Sequence, residues 1–299
     1  MSAILQRHDF RANTMPVPPA WQAAAPRLMA ASRSEFLTLG EHAAVVWLVV
    51  RGQAQVAAQE GRFKLEAGDW VAFDRESDPG LQVLRSGLVL GVSMPASMVA
   101  ALGVSAHNSV LTLGRGRLTH RERWEALALW RRHGAFAASG EPRERHIREC
   151  NAVFAFLAAV QRGALAGGAH CPGHSLRRKR QVFMRMQRAW LRLQGNPDRV
   201  LRIQDLARGS NFSLWYFTKV FSAVYGIGPQ QFGVQVRLDQ ACDLLGDPAL
   251  SINEVASACG FENACSFARA FRGHYQLTAT GYRQQLHAAA MPPLAAAVA

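Results

Sequence analysis

Lysine is almost missing from this chain of 299 residues: Lys64, Lys179 and Lys219 are the only three. Arginine therefore supplies nearly all the positive charge, and 34 basic against 21 acidic side chains leave a net +13. Cysteine is scarce and poorly placed for cross-linking. Cys150, Cys171, Cys242, Cys259 and Cys265 are odd in number and include no C-x-x-C pair. Residues 1–149 contain none. A disulfide framework or a structural zinc site is not expected from that pattern. The apolar run Ala43–Val50 is far too short to cross a bilayer. Arg7, His8 and Asp9 stand where a secretory leader needs its apolar stretch. A soluble, cytoplasmic chain with no membrane partner is expected.

What is present is unevenly distributed. Residues 175–299 hold 15 basic and 7 acidic side chains, so most of the net charge sits in the C-terminal part. A polyanion partner should be sought there. Residues 1–34, with Pro16, Pro18 and Pro19, read as an irregular arm. From residue 35 the text is strand-like. Ala44–Val50 is β-branched and aromatic, Phe63 and Leu65 alternate with polar neighbours, and Trp70–Phe73 and Leu88–Met94 follow between turn residues. Short strands at regular spacing predict a barrel or sandwich over residues 35–116.

Residues 117–165 read as a helical hairpin. Thr119 and Glu122 are spaced as a capping box, and Ile147, Cys150, Phe154 and Leu157 recur at helical spacing. Residues 166–175 read as a linker. Ser175 can cap a helix with Phe183, Met186, Trp190 and Leu193 on its apolar face, ending before Gly195-Asn196-Pro197.

The last hundred residues contain a near-repeat. Ile203, Leu206 and Ala207 return 49 residues later as Ile252, Val255 and Ala256. Phe217, Phe221 and Phe232 return 50 residues later as Phe267, Phe271 and Tyr282. Each copy reads as a short helix, a tight turn and a longer helix, with a small Ala207 or Ala256 where two helices cross. Asn211 and Gly260 follow four residues on, where the turn needs a residue tolerant of positive φ. Pro229–Leu245 reads as a joining helix.

This stretch resembles the DNA-binding domain of the AraC/XylS family of bacterial transcription regulators. The residues that carry the resemblance are Ile203-x-x-Leu206-Ala207, Phe217, Phe221, Gly226, Pro229, Arg237, Ile252-x-x-Val255-Ala256, Gly260-Phe261, Phe267, Phe271 and Tyr282-Arg283. Gln276 stands where the family usually has Gly, and Ala279 where it usually has Pro. The N-terminal part is similar, less specifically, to the cupin-like effector domain of the same family, through Gly52 and Leu65-x-x-Gly68-Asp69. The fold class implied is α+β and multidomain: a cupin-like β-barrel, a helical hairpin, and an all-α domain over residues 176–299 with two helix-turn-helix motifs.

The resemblance implies a regulator that reads double-stranded DNA through two recognition helices in successive major grooves. In the first copy it points to Ser213, Leu214, Trp215, Thr218 and Lys219, and in the second to Asn263, Ala264, Cys265, Ser266 and Arg269. Lys219 or Arg269 can donate to guanine O6 and N7, and Thr218 or Trp215 can meet a thymine methyl. Lys219 as a phosphate contact is an equal alternative, and Ser213 and Ser266 are candidates for phosphate. Arg177-Arg178-Lys179-Arg180 is either a phosphate-binding run or a solvated face.

In the N-terminal domain, Trp47, Trp70 and Phe73 are candidates either to line an effector pocket or to form plain core. The implied partners are DNA, a small-molecule effector, a second copy through the hairpin, and RNA polymerase. No cofactor, metal or catalytic role is expected, because His42 stands alone where a metal-holding cupin needs an H-x-H with a further Glu and His. Two alternatives remain open: an architectural DNA-binding protein without effector, and a cupin enzyme with a DNA-targeting tail. A redox reading of Cys259 and Cys265 competes with their being small, partly buried residues.

Overall fold

The computed structural model describes residues 26–32, 34–38, 44–95, 113–138 and 143–290. His42 lies outside them. The chain divides into two compact units after Leu191.

The first unit is built on two antiparallel sheets. Its strands are β1 (Arg27–Ser32), β2 (Phe36–Thr38), β3 (Ala44–Arg51), β4 (Gln53–Ala58), β5 (Gly61–Glu66), β6 (Asp69–Asp74), β7 (Gly80–Val83), β8 (Leu88–Met94) and β9 (Gly114–Arg117). A five-stranded sheet has the order β1-β8-β3-β6-β9, and a four-stranded sheet the order β2-β7-β4-β5. The described residues thus form two separate ladders rather than the closed barrel expected from the sequence. β1 also falls within the arm expected to be irregular, where it pairs antiparallel with β8 from Arg27↔Ser93 to Ser32↔Leu88.

Strand composition follows what each face touches. β4 and β5 alternate buried and exposed residues, as expected of a sheet with one wet face. β3 is buried from Ala44 to Val50 because both its faces are covered. Val45, Trp47 and Val49 point between the sheets, beside Val56, Phe63, Leu65, Phe73 and Leu81. Val46, Leu48 and Val50 point the other way, with Trp70, Val92 and Met94.

That second face is covered by a helical pair, α1 (His120–Ala138) and α2 (Arg143–Leu165). The expected capping box is present: Glu122 Oε2 accepts from Thr119 N at 2.7 Å, and Thr119 Oγ1 accepts from Glu122 N at 3.2 Å. Ala126, Trp130, Cys150, Val153, Phe154, Phe156 and Leu157 pack on the sheet, and the Trp130 indole N–H donates to the Met29 carbonyl at 3.0 Å. Cys150–His170 is long and apolar enough to cross a membrane by length and composition alone. Its apolar side chains at 150, 153, 154, 156 and 157 are nevertheless buried in this core.

A further helix, α3 (Leu176–Gln194), begins with Ser175 Oγ accepting from Arg178 N at 3.2 Å. Most of it packs with the first unit. Met184, Trp190 and Leu191 join the core between the sheets. Arg188 donates to Glu60 Oε1 at 2.7 Å, Asp74 Oδ2 at 2.6 Å and Glu76 Oε2 at 3.0 Å. Glu60 is 1% exposed and also accepts from Ser77 Oγ at 3.0 Å. The division at Leu191 therefore falls inside this helix, whereas the sequence placed the start of the DNA-binding part at residue 176.

Among the described residues the second unit is all helical: α4 (Ile203–Gly209), α5 (Leu214–Tyr225), α6 (Pro229–Leu245), α7 (Ile252–Ala258), α8 (Ala264–Tyr275) and α9 (Ala279–Ala290). The joining helix runs from Pro229 to Leu245 as expected, with Pro in its first turn where no intrahelical N–H is needed.

Candidate nucleic-acid interface

Two helix-turn-helix units, α4–α5 and α7–α8, are built by the same local rules. In the first, Phe212 N donates to the Ala207 carbonyl at 3.0 Å; in the second, Phe261 N donates to the Ala256 carbonyl at 3.0 Å. Asn211 (φ 54°) and Gly260 (φ 67°) take the left-handed conformation between these partners, as the repeat predicts. At Gly260 a side chain is also excluded by space, since a Cβ would stand 2.8 Å from Arg199 Cα and 2.8 Å from the Asp198 carbonyl oxygen.

Each longer helix carries its own cap. Ser213 Oγ accepts from Tyr216 N at 3.3 Å, and Asn263 Oδ1 accepts from Ser266 N at 2.8 Å. Ser266 Oγ in turn donates to the Asn263 carbonyl at 2.8 Å. Ser213, Asn263 and Ser266 are thus engaged in local bonds that hold the helix starts. The leading helix α7 has a full capping box, in which Ser251 Oγ accepts from Glu254 N and Glu254 Oε2 accepts from Ser251 N at 2.7 Å. Those bonds to the ionised form hold the Glu254 carboxyl below its ordinary range.

One face of each longer helix is spent on the core. On α5 it is Phe217, Val220, Phe221 and Val224, with the Phe217 and Phe221 rings 5.7 Å apart. On α8 it is Phe267 and Phe271, 5.5 Å apart. The Arg237 guanidinium, buried and lowered in pKa by that burial, donates to the Gly260 carbonyl at 3.1 Å and lies 4.4 Å from the centre of the Phe261 ring. It tethers the joining helix to the turn of the second motif.

The opposite faces are open. Leu214, Trp215, Thr218 and Lys219 are all exposed on α5, and Trp215 is 70% exposed. Lys219 Nζ lies 4.9 Å from the centre of the Trp215 ring. The sequence reading missed that pairing, although a cation four residues after an aromatic on a helix is its signature. On α8, Asn263, Cys265 and Arg269 are exposed, and Ala264 and Ser266 are partly so. At the 50-residue offset, Arg269 stands where Lys219 does and Ala268 where Thr218 does. Arg272 and His274 extend the basic surface of α8. The face of α8 is therefore shorter and more cationic than that of α5.

The other candidates separate. Trp47 and Phe73 meet edge to face between the sheets at 6.4 Å, whereas Trp70 is buried on the opposite face, so the structure does not bring the three together. Cys259 is buried, and burial pushes its thiol up to about 11, while Cys265 is exposed. Arg177 and Arg178 are exposed; Lys179 donates to the Ala169 carbonyl at 3.4 Å.

Residues 206–285 match the family model of a helix-turn-helix domain. The chain is 36% identical over 93 residues to the regulatory protein PocR of Salmonella typhimurium, a match covering 31% of each chain. It is 29% identical over 86 residues to the Msm operon regulatory protein of Streptococcus mutans, covering 29% of this chain and 31% of that one. These matches span about a third of those curated relatives. Among solved structures, an AraC-type DNA-binding regulator from Chromobacterium violaceum is 25% identical, over 34% of this chain and 91% of that one, with a TM-score of 0.33. Residues 206–285 of this chain are a helix-turn-helix domain, similar in sequence to the C-terminal parts of those curated regulators.

Proposed function

We propose that the protein is a sequence-specific, double-stranded-DNA-binding regulator of transcription that works in the bacterial cytoplasm. The reading rests chiefly on one observation: two N-capped helices of one repeat each expose a face bearing a cation, Lys219 or Arg269, opposite a closed aromatic core. Helices α5 and α8 enter two successive major grooves, about one DNA turn (~34 Å) apart. Lys219 and Arg269 donate to guanine edges, and Thr218 and Leu214 meet thymine methyls. Ala264 and Cys265 are too short to do more than pack against the groove. The helix starts at Ser213 and Asn263 present backbone amides to phosphate.

The N-terminal unit, a cupin-like fold in this reading, takes a small-molecule effector, and the α1–α2 pair joins two copies. Trp47 supports the effector role: its indole N–H is buried between the sheets with no partner among the described residues. A donor in that position is costly unless something accepts from it. RNA polymerase is the proposed downstream partner.

The test is a footprint of the purified chain on the DNA upstream of its own coding region, at fixed salt, beside Lys219→Ala and Arg269→Ala. Discrete protection over about two helical turns, lost or relaxed in both variants, is the expected outcome. Protection indifferent to both substitutions, or binding without sequence preference, would overturn the base-reading assignment in favour of an architectural role.

A further inference from the structure

We propose that Trp215 is a positioning residue for Lys219, holding its ammonium ready for a guanine edge in the DNA major groove; this rests on the assignment of α5 as a recognition helix. The fold does not account for Trp215. Its indole is 70% exposed at the second position of α5, while Phe217, Val220, Phe221 and Val224 fill the core. What the indole does touch is Lys219, one turn further on, with Nζ 4.9 Å from the ring centre. Lys219 has no ion pair among the described residues that would hold it otherwise.

A lysine side chain is a flexible stem ending in a point charge, and ordering it on a base costs rotamer freedom. An aromatic shelf one turn away removes part of that cost before DNA arrives. The second copy supplies an internal comparison. There the equivalent residues are Cys265 and Arg269, a reader with no shelf. An arginine fork is planar and already pre-organised for the O6/N7 edge of guanine, so it needs none. The aromatic therefore accompanies the residue that requires it and is absent beside the one that does not.

The probe is the duplex that the full-length wild-type chain selects from a random-sequence pool. It is compared with the same duplex carrying 7-deazaguanine, which lacks the N7 acceptor, at the guanine facing α5. Trp215→Leu is expected to weaken binding to the selected duplex about two- to five-fold, the range of an exposed cation–π contact. Trp215→Phe, which keeps a ring, should retain most of the affinity. The Trp215→Leu loss should vanish in a Lys219→Ala background and shrink on the 7-deazaguanine duplex, where only O6 remains to accept from Lys219.

An equal loss in both settings means that the indole acts by its own contact and overturns the proposal. So does no loss at all. If Lys219→Ala binds both duplexes as the wild type does, the reading of α5 beneath the proposal has failed, and the proposal with it. Melting of the variants in the absence of DNA separates these results from misfolding, and no change is expected for so exposed a position.

Discussion

Gly260→Ala should disrupt the second helix-turn-helix while leaving the first unit untouched. Two effects add at this position. An L-residue at φ 67° stands in the left-handed region, which costs about 1–2 kcal/mol. The new Cβ also meets Arg199 Cα and the Asp198 oxygen at 2.8 Å, and both are backbone atoms that cannot swing aside. Overpacking of that kind costs about 1–3 kcal/mol. The combined loss is about 2–5 kcal/mol, which is most of the margin of a small domain. Hydrogen exchange followed by mass spectrometry reads it locally: amides of α8 should exchange about 30- to 5,000-fold faster under conditions where opening is rate-determining by population. Amides of β3 should be unchanged. Gly260→Asn separates the two effects, because Asn tolerates the left-handed region but carries the same Cβ; it should remain destabilised by about 1–3 kcal/mol. The equivalent Asn211, at φ 54°, needs only conformational tolerance, so Asn211→Gly should be nearly neutral. A loss under about 1 kcal/mol for Gly260→Ala would refute the argument that a close backbone crossing fixes this turn.

Other outcomes follow from local geometry. Gln276 caps α8 at φ 59°, and in the first copy Gly226 takes the same place at φ 71°. Gln276→Gly should therefore raise the stability of the second unit by about 0.5 kcal/mol, read as a higher urea midpoint, the relief of strain exceeding the lost bond to the Gly273 carbonyl. Glu254 titrates below its ordinary 4.5 because it accepts from Ser251, so its cap is intact above that pH and is lost as pH falls through the lower folded value. Acid melting of Glu254→Gln should accordingly converge on wild type at the acid end and fall below it near neutrality. Iodoacetamide at neutral pH should modify exposed Cys265 first and spare Cys171 and Cys259, buried thiols pushed up to about 11; saturating operator DNA should protect Cys265. Peptide mass mapping checks this, and early labelling of Cys259 would contradict the closed core.

The helical unit was legible in the sequence because its signals are local. A 50-residue offset between aromatic residues places both cores, and the left-handed turns at Asn211 and Gly260 follow from residue type alone. The first unit was less legible because its decisive contacts are distant. Arg27–Ser32 follows a proline-rich segment and has no β-branched residue, yet pairing with β8 makes it a strand. Nothing near residue 188 announces that its arginine will meet Glu60 and Asp74, more than a hundred residues earlier. Trp47 and Trp70 look alike as candidates, but the alternation of neighbouring antiparallel strands sends them to opposite faces of the sheet. On α5 and α8, exposure separated the candidates: Trp215 is an outward residue, whereas Asn263 and Ser266 bond each other.

The two aromatic cores have a consequence for how specificity changes. Phe217 and Phe221 belong to one half and Phe267 and Phe271 to the other, with α6 as the strut between them. An outward substitution on α8 therefore leaves the packing of α5 as it was. On the proposed function, the two reading helices are separable cassettes, and half of an operator can drift in sequence while the other half holds the protein in place. New target sites can then be acquired one groove at a time, without passing through a form that binds neither.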